Sequence, residues 1–102
     1  MTVKPPESCT SMADVRDAID EIDRALVPLL ARRSRYVARA ATLKPARSMV
    51  VDPTRIEDVV TKAKAVAAEN GMDQTLIERI YRSMVDAFIA FETTEWDHSH
   101  KS

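Results

Sequence analysis

From Val15 onward, apolar residues recur three and four positions apart, at Val15, Ile19, Ile22, Leu26, Leu29, Leu30 and Val37. That is the spacing of one helical face. Ser11 precedes the run as a good N-cap, and Asp14 three residues later makes a near capping box. The run stops at Lys44-Pro45, because a residue before proline disfavours the α region. Some thirty residues at helical rise reach about 45 Å, whereas a compact domain of about 100 residues has a radius of gyration of about 13 Å. A helix this long without internal caps packs along a partner, so the pattern predicts an intertwined homodimer. Pro28 falls inside the helix, nearly opposite the apolar stripe, and is expected to curve it rather than end it.

Beyond the "SMVV" loop, "DPTR" restarts the helix: Asp52 caps and Pro53 takes the first helical position. The second helix carries Val59, Val60, Ala63, Val66 and Ala67 and stops at Asn70-Gly71, a strong C-terminal signal. Asp73 caps a third, whose stripe of Leu76, Ile77, Ile80, Met84, Phe88 and Phe91 is expected to be core packing. The fold class is all-α: a three-helix chain with a long first helix, in a homodimeric bundle. Residues 1–10 are expected to be a flexible lead-in, 11–96 the helical domain and 97–102 a disordered polar tail.

Composition narrows the function. A chain of 102 residues makes one domain or subunit with a modest core, to which oligomerisation would add burial. The net charge of −1 argues against a general binder of nucleic acid or membrane surfaces. Asp14, Asp17, Asp20, Glu21 and Asp23 along the first helix also argue against an outward basic face. No apolar run approaches the roughly 18 residues of a membrane span, and "MTVKPPESCT" has no signal-peptide h-region. A single cysteine, Cys9, excludes an internal disulfide framework and suits a reducing cytoplasm. Cys9 lies in a Pro-rich lead-in with no activating histidine nearby, so it is not a candidate nucleophile. His98 and His100 lack a third ligand, so no metal is expected.

The stretch "LLARRSRYVARAATLK" holds Arg32, Arg33, Arg35, Arg39 and Lys44 and no acid. With Val15 at zero and about 100° per residue, Arg33 lands at about 0° and Lys44 at about 20°. Both therefore sit on the stripe expected to be buried, while Arg32, Arg35 and Arg39 point elsewhere and read as a solvated face. Burying an unpaired cation costs on the order of several kcal/mol, so it needs a counter-charge. That charge is either an acid on another helix or an anionic ligand inside the bundle. Two cations on one seam favour a small local anion, with arginine's fork suited to a carboxylate and lysine acting as a point charge. Arg16 lies about 100° from the stripe centre, placed to face a partner subunit. Arg55 sits in the first turn of the second helix. Glu92 lies about 60° from Ile77, at the edge of the third stripe, where a surface acid or ion-pair partner is the ordinary expectation.

The segments "CTSMADVRDAIDEID", "LLARRSRYVARAATLK", "DPTRIEDVV" and "AAENGMD", with the final helix through Glu92, resemble the small all-α chorismate mutase family, and in particular its isochorismate pyruvate lyase branch. The resemblance covers about Pro6 to Trp96 and is carried by the spacing of Arg16, Arg33, Lys44 and Arg55. It implies an intertwined three-helix homodimer with sites inside the bundle and no cofactor. Carried over, Arg33, Lys44 and Arg55 would line the site from one subunit and Arg16 would come from the other. Arg16 and Arg33 would hold the two carboxylates of chorismate or isochorismate. Lys44 would reach the ether oxygen and a carboxylate, Arg55 would support the site, Glu92 would face the ether oxygen from the other side, and the "LKPARSMVVDP" loop would cover the pocket. Both reactions break the enolpyruvyl C–O bond in a concerted step, which needs positioning and charge stabilisation rather than a nucleophile.

Two positions depart from the mutase pattern. Mutases commonly carry Glu directly after the second-helix arginine, where it holds the ring hydroxyl; here that residue is Ile56, as in the apolar lyase branch. Glu92 stands where the bacterial enzymes usually have Gln. An amide donates to an ether oxygen at any pH, whereas a carboxyl donates only while protonated. Burial favours that proton and a neighbouring lysine opposes it, so activity is expected to decline as Glu92 ionises. The resemblance ranks chorismate mutase first, with isochorismate pyruvate lyase as alternative or second activity. The competing class is a non-catalytic helical dimerisation or regulatory module, in which Arg33→Ala would be neutral or stabilising.

Overall fold

In the computed structural model, which describes residues 3–101, the chain is all-helical. Helix α1 spans Met12–Leu43, α2 spans Pro53–Glu69 and α3 spans Gln74–Ser99, with short 3-10 turns at Pro6–Ser8 and Arg47–Met49. No strand occurs among the described residues. The first two positions of the expected lead-in and the last of the expected tail lie outside them.

The start of α1 is capped much as the sequence indicates, except that Asp14 accepts from the amide one residue before the cap. Ser11 Oγ accepts from the Asp14 N–H at 3.1 Å. The Asp14 carboxylate reaches back past Ser11 to the Thr10 N–H at 3.0 Å and lies 3.3 Å from Lys4 Nζ. The Thr10 amide foremost, then Lys4, holds this carboxyl below its ordinary range. The helix runs unbroken through Pro28.

The chain divides into two compact units, one ending at Tyr36 and the other beginning at Val37. In the first, the α1 stripe expected to be buried is not: Ile19, Ile22, Leu26 and Leu29 are 46–56% exposed. Helical periodicity identifies an apolar face, but not whether the same chain supplies the surface that covers it.

In the second unit, Asp52 caps α2 by accepting from the Arg55 N–H, with Pro53 as the first residue. The helix ends as predicted at Asn70-Gly71. Gly71 adopts φ +68°, the Met72 N–H donates to Ala67 O at 2.8 Å and the Gly71 N–H to Ala68 O at 3.2 Å. These paired bonds satisfy carbonyls that the helix end would leave open. Asp73 caps α3 through the Thr75 N–H. Helix α2 packs on α3, and the ion pairs Glu57–Arg82 and Lys64–Glu78 set them antiparallel.

Among the described residues the buried ones are Ala41, Val50, Val60, Ala67, Val85 and one charged side chain, Glu92. Two expectations about α3 are corrected here. Its inward face runs through Val85 and Glu92, while Leu76 and Ile80 of the predicted core stripe are 49% and 46% exposed. The sequence pattern picked out one apolar stripe on this helix, and the buried positions Val85 and Glu92 lie off it. Residues 97–99, expected to be tail, form the last turn of α3, capped by the His100 N–H on Trp96 O at 3.0 Å.

Gly71 has open space around the position of a Cβ, so backbone conformation alone decides what a substitution does there. Gly71→Ala should destabilise the protein by about 1 kcal/mol, read as a lower urea midpoint with an unchanged slope, and Gly71→Asn should lose less.

Candidate active site

Lys44 is the first residue past α1, and its N–H still donates to Ala40 O at 3.1 Å. Its ammonium donates to Glu92 Oε2 at 2.5 Å. Glu92 is only 7% exposed and lies about 20° from Val85 on the α3 wheel, in line with the face that packs on α2. A buried carboxylate requires a cation or donors, and Lys44 provides the cation. Four residues on, and so on the same side of α3, the Trp96 indole N–H donates to the main-chain oxygen of Lys44 at 2.9 Å. Arg47 in the following 3-10 turn forms a fork with Asp97, at 2.9 and 3.4 Å. The C-terminal part of α3 thus holds the end of α1 and the loop after it.

The structure brings Lys44 and Glu92 together, while Arg55 pairs within its own helix. The Arg55 side chain is exposed and bonds Asp58 Oδ2 at 2.6 Å. Lys62 foremost, then Arg55, holds the Asp58 carboxyl below its ordinary range. Arg16 and Arg33 belong to the first unit, Arg16 exposed and Arg33 half-buried. Ile56 is half-buried beside Arg55. Trp96, Arg47 and Asp97 are site-building residues that the sequence did not single out; the one available signal was the helical spacing of Trp96 from Glu92.

Residues 15–93 match the family described as chorismate mutase type II. The chain belongs to this family. It is also 34% identical, over 94 residues, to isochorismate pyruvate lyase of Pseudomonas aeruginosa, an alignment covering 92% of this chain and 93% of that one. The matched family region takes in Arg16, Arg33, Lys44, Arg55 and Glu92 and stops short of Trp96 and Asp97. As a chorismate mutase domain the chain is an enzyme, and its all-helical architecture is the one the family implies. Among the described residues no helix is long and apolar enough to cross a membrane, and no three His, Cys, Asp or Glu side chains are grouped to hold a metal ion.

The Arg47–Asp97 fork makes the loop attachment of this chorismate mutase domain sensitive to acid. Its hydrogen bond to Arg47 holds the Asp97 carboxyl below its ordinary 3.8. A carboxyl lowered on folding contributes stability that is complete above the unfolded value and lost as pH falls through the folded one. Acid unfolding below about pH 4 should therefore be steeper in the wild type than in Asp97→Asn, with a small difference because the pair is exposed.

Proposed function

We propose that this chorismate mutase domain converts chorismate to prephenate and that the same site takes isochorismate to salicylate and pyruvate. The observation that carries this reading is the Lys44–Glu92 pair, a half-buried ammonium donating to a buried carboxylate 2.5 Å away. Lys44 would turn its ammonium to the ether oxygen and a substrate carboxylate, and Glu92 would face that oxygen from the other side. Arg33, with Arg16 from a second subunit, would hold the two carboxylates. Arg55 would support the site, giving up an exposed pair with Asp58 that is weak in water. In both reactions the enolpyruvyl C–O bond breaks. The mutase forms a carbon–carbon bond in the same step, whereas the lyase moves a ring hydrogen to the enolpyruvyl carbon. Neither needs a covalent enzyme intermediate, so the rate would come from holding a compact conformer and stabilising charge on the ether oxygen.

In the free chain Lys44 and Glu92 satisfy one another. A bound dianion would compete with Glu92 for the lysine ammonium. Isochorismate as the main substrate is favoured by Ile56, which gives no acceptor to the ring hydroxyl of chorismate, and by the name of the Pseudomonas aeruginosa relative.

The homodimer belongs to the same proposal. The half-exposed row of Ile19, Ile22, Leu26 and Leu29 is an apolar face on a 32-residue helix, and a second copy would cover it and bring Arg16 to the site.

Chorismate and isochorismate supplied separately should yield prephenate, and salicylate with pyruvate, respectively; turnover of neither would leave a non-catalytic helical module. Glu92→Gln, whose amide can donate to the ether oxygen, should keep turnover and Glu92→Ala should lose most of it, read as kcat; equal rates in the two variants would remove Glu92 from the mechanism. Leu26→Asp should convert a sedimenting dimer to monomer and lose activity with it, since the monomer lacks the second subunit's Arg16.

A further inference from the structure

Lys44 occupies an awkward place to hold a catalytic cation. It stands where a helix leaves its last carbonyls unpaired, and the next residue, Pro45, has no N–H to offer. The ammonium also rides on a flexible four-carbon stem, so its position depends on where the main chain is fixed. Trp96 fixes it. The indole N–H donates to Lys44 O at 2.9 Å, one helical turn from the Glu92 that receives the ammonium.

Trp96 is itself held from the far side. The His100 ring stacks on it, with centroids 4.1 Å apart and planes 12° apart, and the His100 N–H closes the turn on Trp96 O at 3.0 Å. Lys44 is thus gripped at both ends by one face of α3, its ammonium by Glu92 and its carbonyl by Trp96.

We propose that Trp96 is a positioning residue for Lys44: its indole N–H sets the main chain so that the ammonium stays at Glu92 and, in turnover, at the ether oxygen. This rests on the catalytic role proposed above for Lys44, and on residues beyond the region that matches the family.

Trp96→Phe keeps an aromatic ring, though a smaller one, and removes the donor. In the full-length protein it should lower kcat roughly tenfold, since small misplacements of a reacting group are costly, and leave KM nearly unchanged. In a Lys44→Ala background the same substitution should have no further effect, because Trp96 acts through Lys44. An equal loss in both backgrounds, or an unchanged kcat in well-folded Trp96→Phe, overturns the proposal.

The 15N signal of the Lys44 ammonium gives a readout that does not depend on turnover. It should be sharp in the wild type and broadened by solvent exchange in Trp96→Phe. An unchanged signal overturns the proposal even where neither substrate is turned over, an outcome that would overturn only the function. Should Trp96→Phe fail to fold, His100→Ala removes the stacking partner and leaves the donor; a smaller broadening supports the positioning role and none refutes it.

Discussion

Glu92 is a carboxyl held in the face of α3 that packs on α2, and a charge so placed must be met. Lys44 meets it from a residue 48 positions earlier, and much of the local architecture follows from that demand. The first helix has to end at the level of Glu92, and Lys44-Pro45 ends it there. The main chain just past the helix has to be steady, and Trp96 and the Arg47–Asp97 fork secure it to the next turn of α3. The pair is a structural cross-link in the free chain and, in the proposed mechanism, the reacting pair once substrate divides it. One interaction therefore connects helix termination, core electrostatics and chemistry.

The core around this pair is built from small side chains. Ala41, Val50, Val60, Ala67 and Val85 are buried, and no large side chain among the described residues is fully enclosed. The bulky apolar residues lie instead on the open faces of α1 and α3. A chain of this size buries a limited share of its surface alone, which is the physical support for assembly with a second copy. It also explains why the helix termini are so fully capped: local hydrogen bonds at Ser11, Asp52, Gly71 and Asp73 define ends that a thin core defines poorly.

Those ends were the most legible part of the sequence. Asp52-Pro53, Asn70-Gly71 and Lys44-Pro45 each carry a local chemical reason to start or stop a helix, and the structure ends its helices beside them. The inward face of each helix was less legible. Counting from Ile77 put Glu92 at the stripe's edge, whereas counting from Val85 puts it near the centre. Both counts use the same period, and only the position of α2 chooses between them. Lys44 became a candidate through its place on the first helix's apolar stripe and Glu92 through family resemblance, and nothing local announces a contact between them. The bonds from Trp96 to Lys44 and from Arg47 to Asp97 join residues 52 and 50 positions apart, and no periodicity encodes such a pairing. The last turn of α3 was missed because "DHSH" reads as polar tail, while Asp97 and His100 each have a tertiary or capping partner.

The chain contains a single tryptophan, and it is the residue bonded to the Lys44 carbonyl. Indole emission responds to the hydrogen bond at its nitrogen and to a ring stacked on its face, and Trp96 has both. All tryptophan fluorescence from this protein therefore originates one helical turn from Glu92. The molecule carries its own optical probe of that region, with no label to attach and no second indole to subtract.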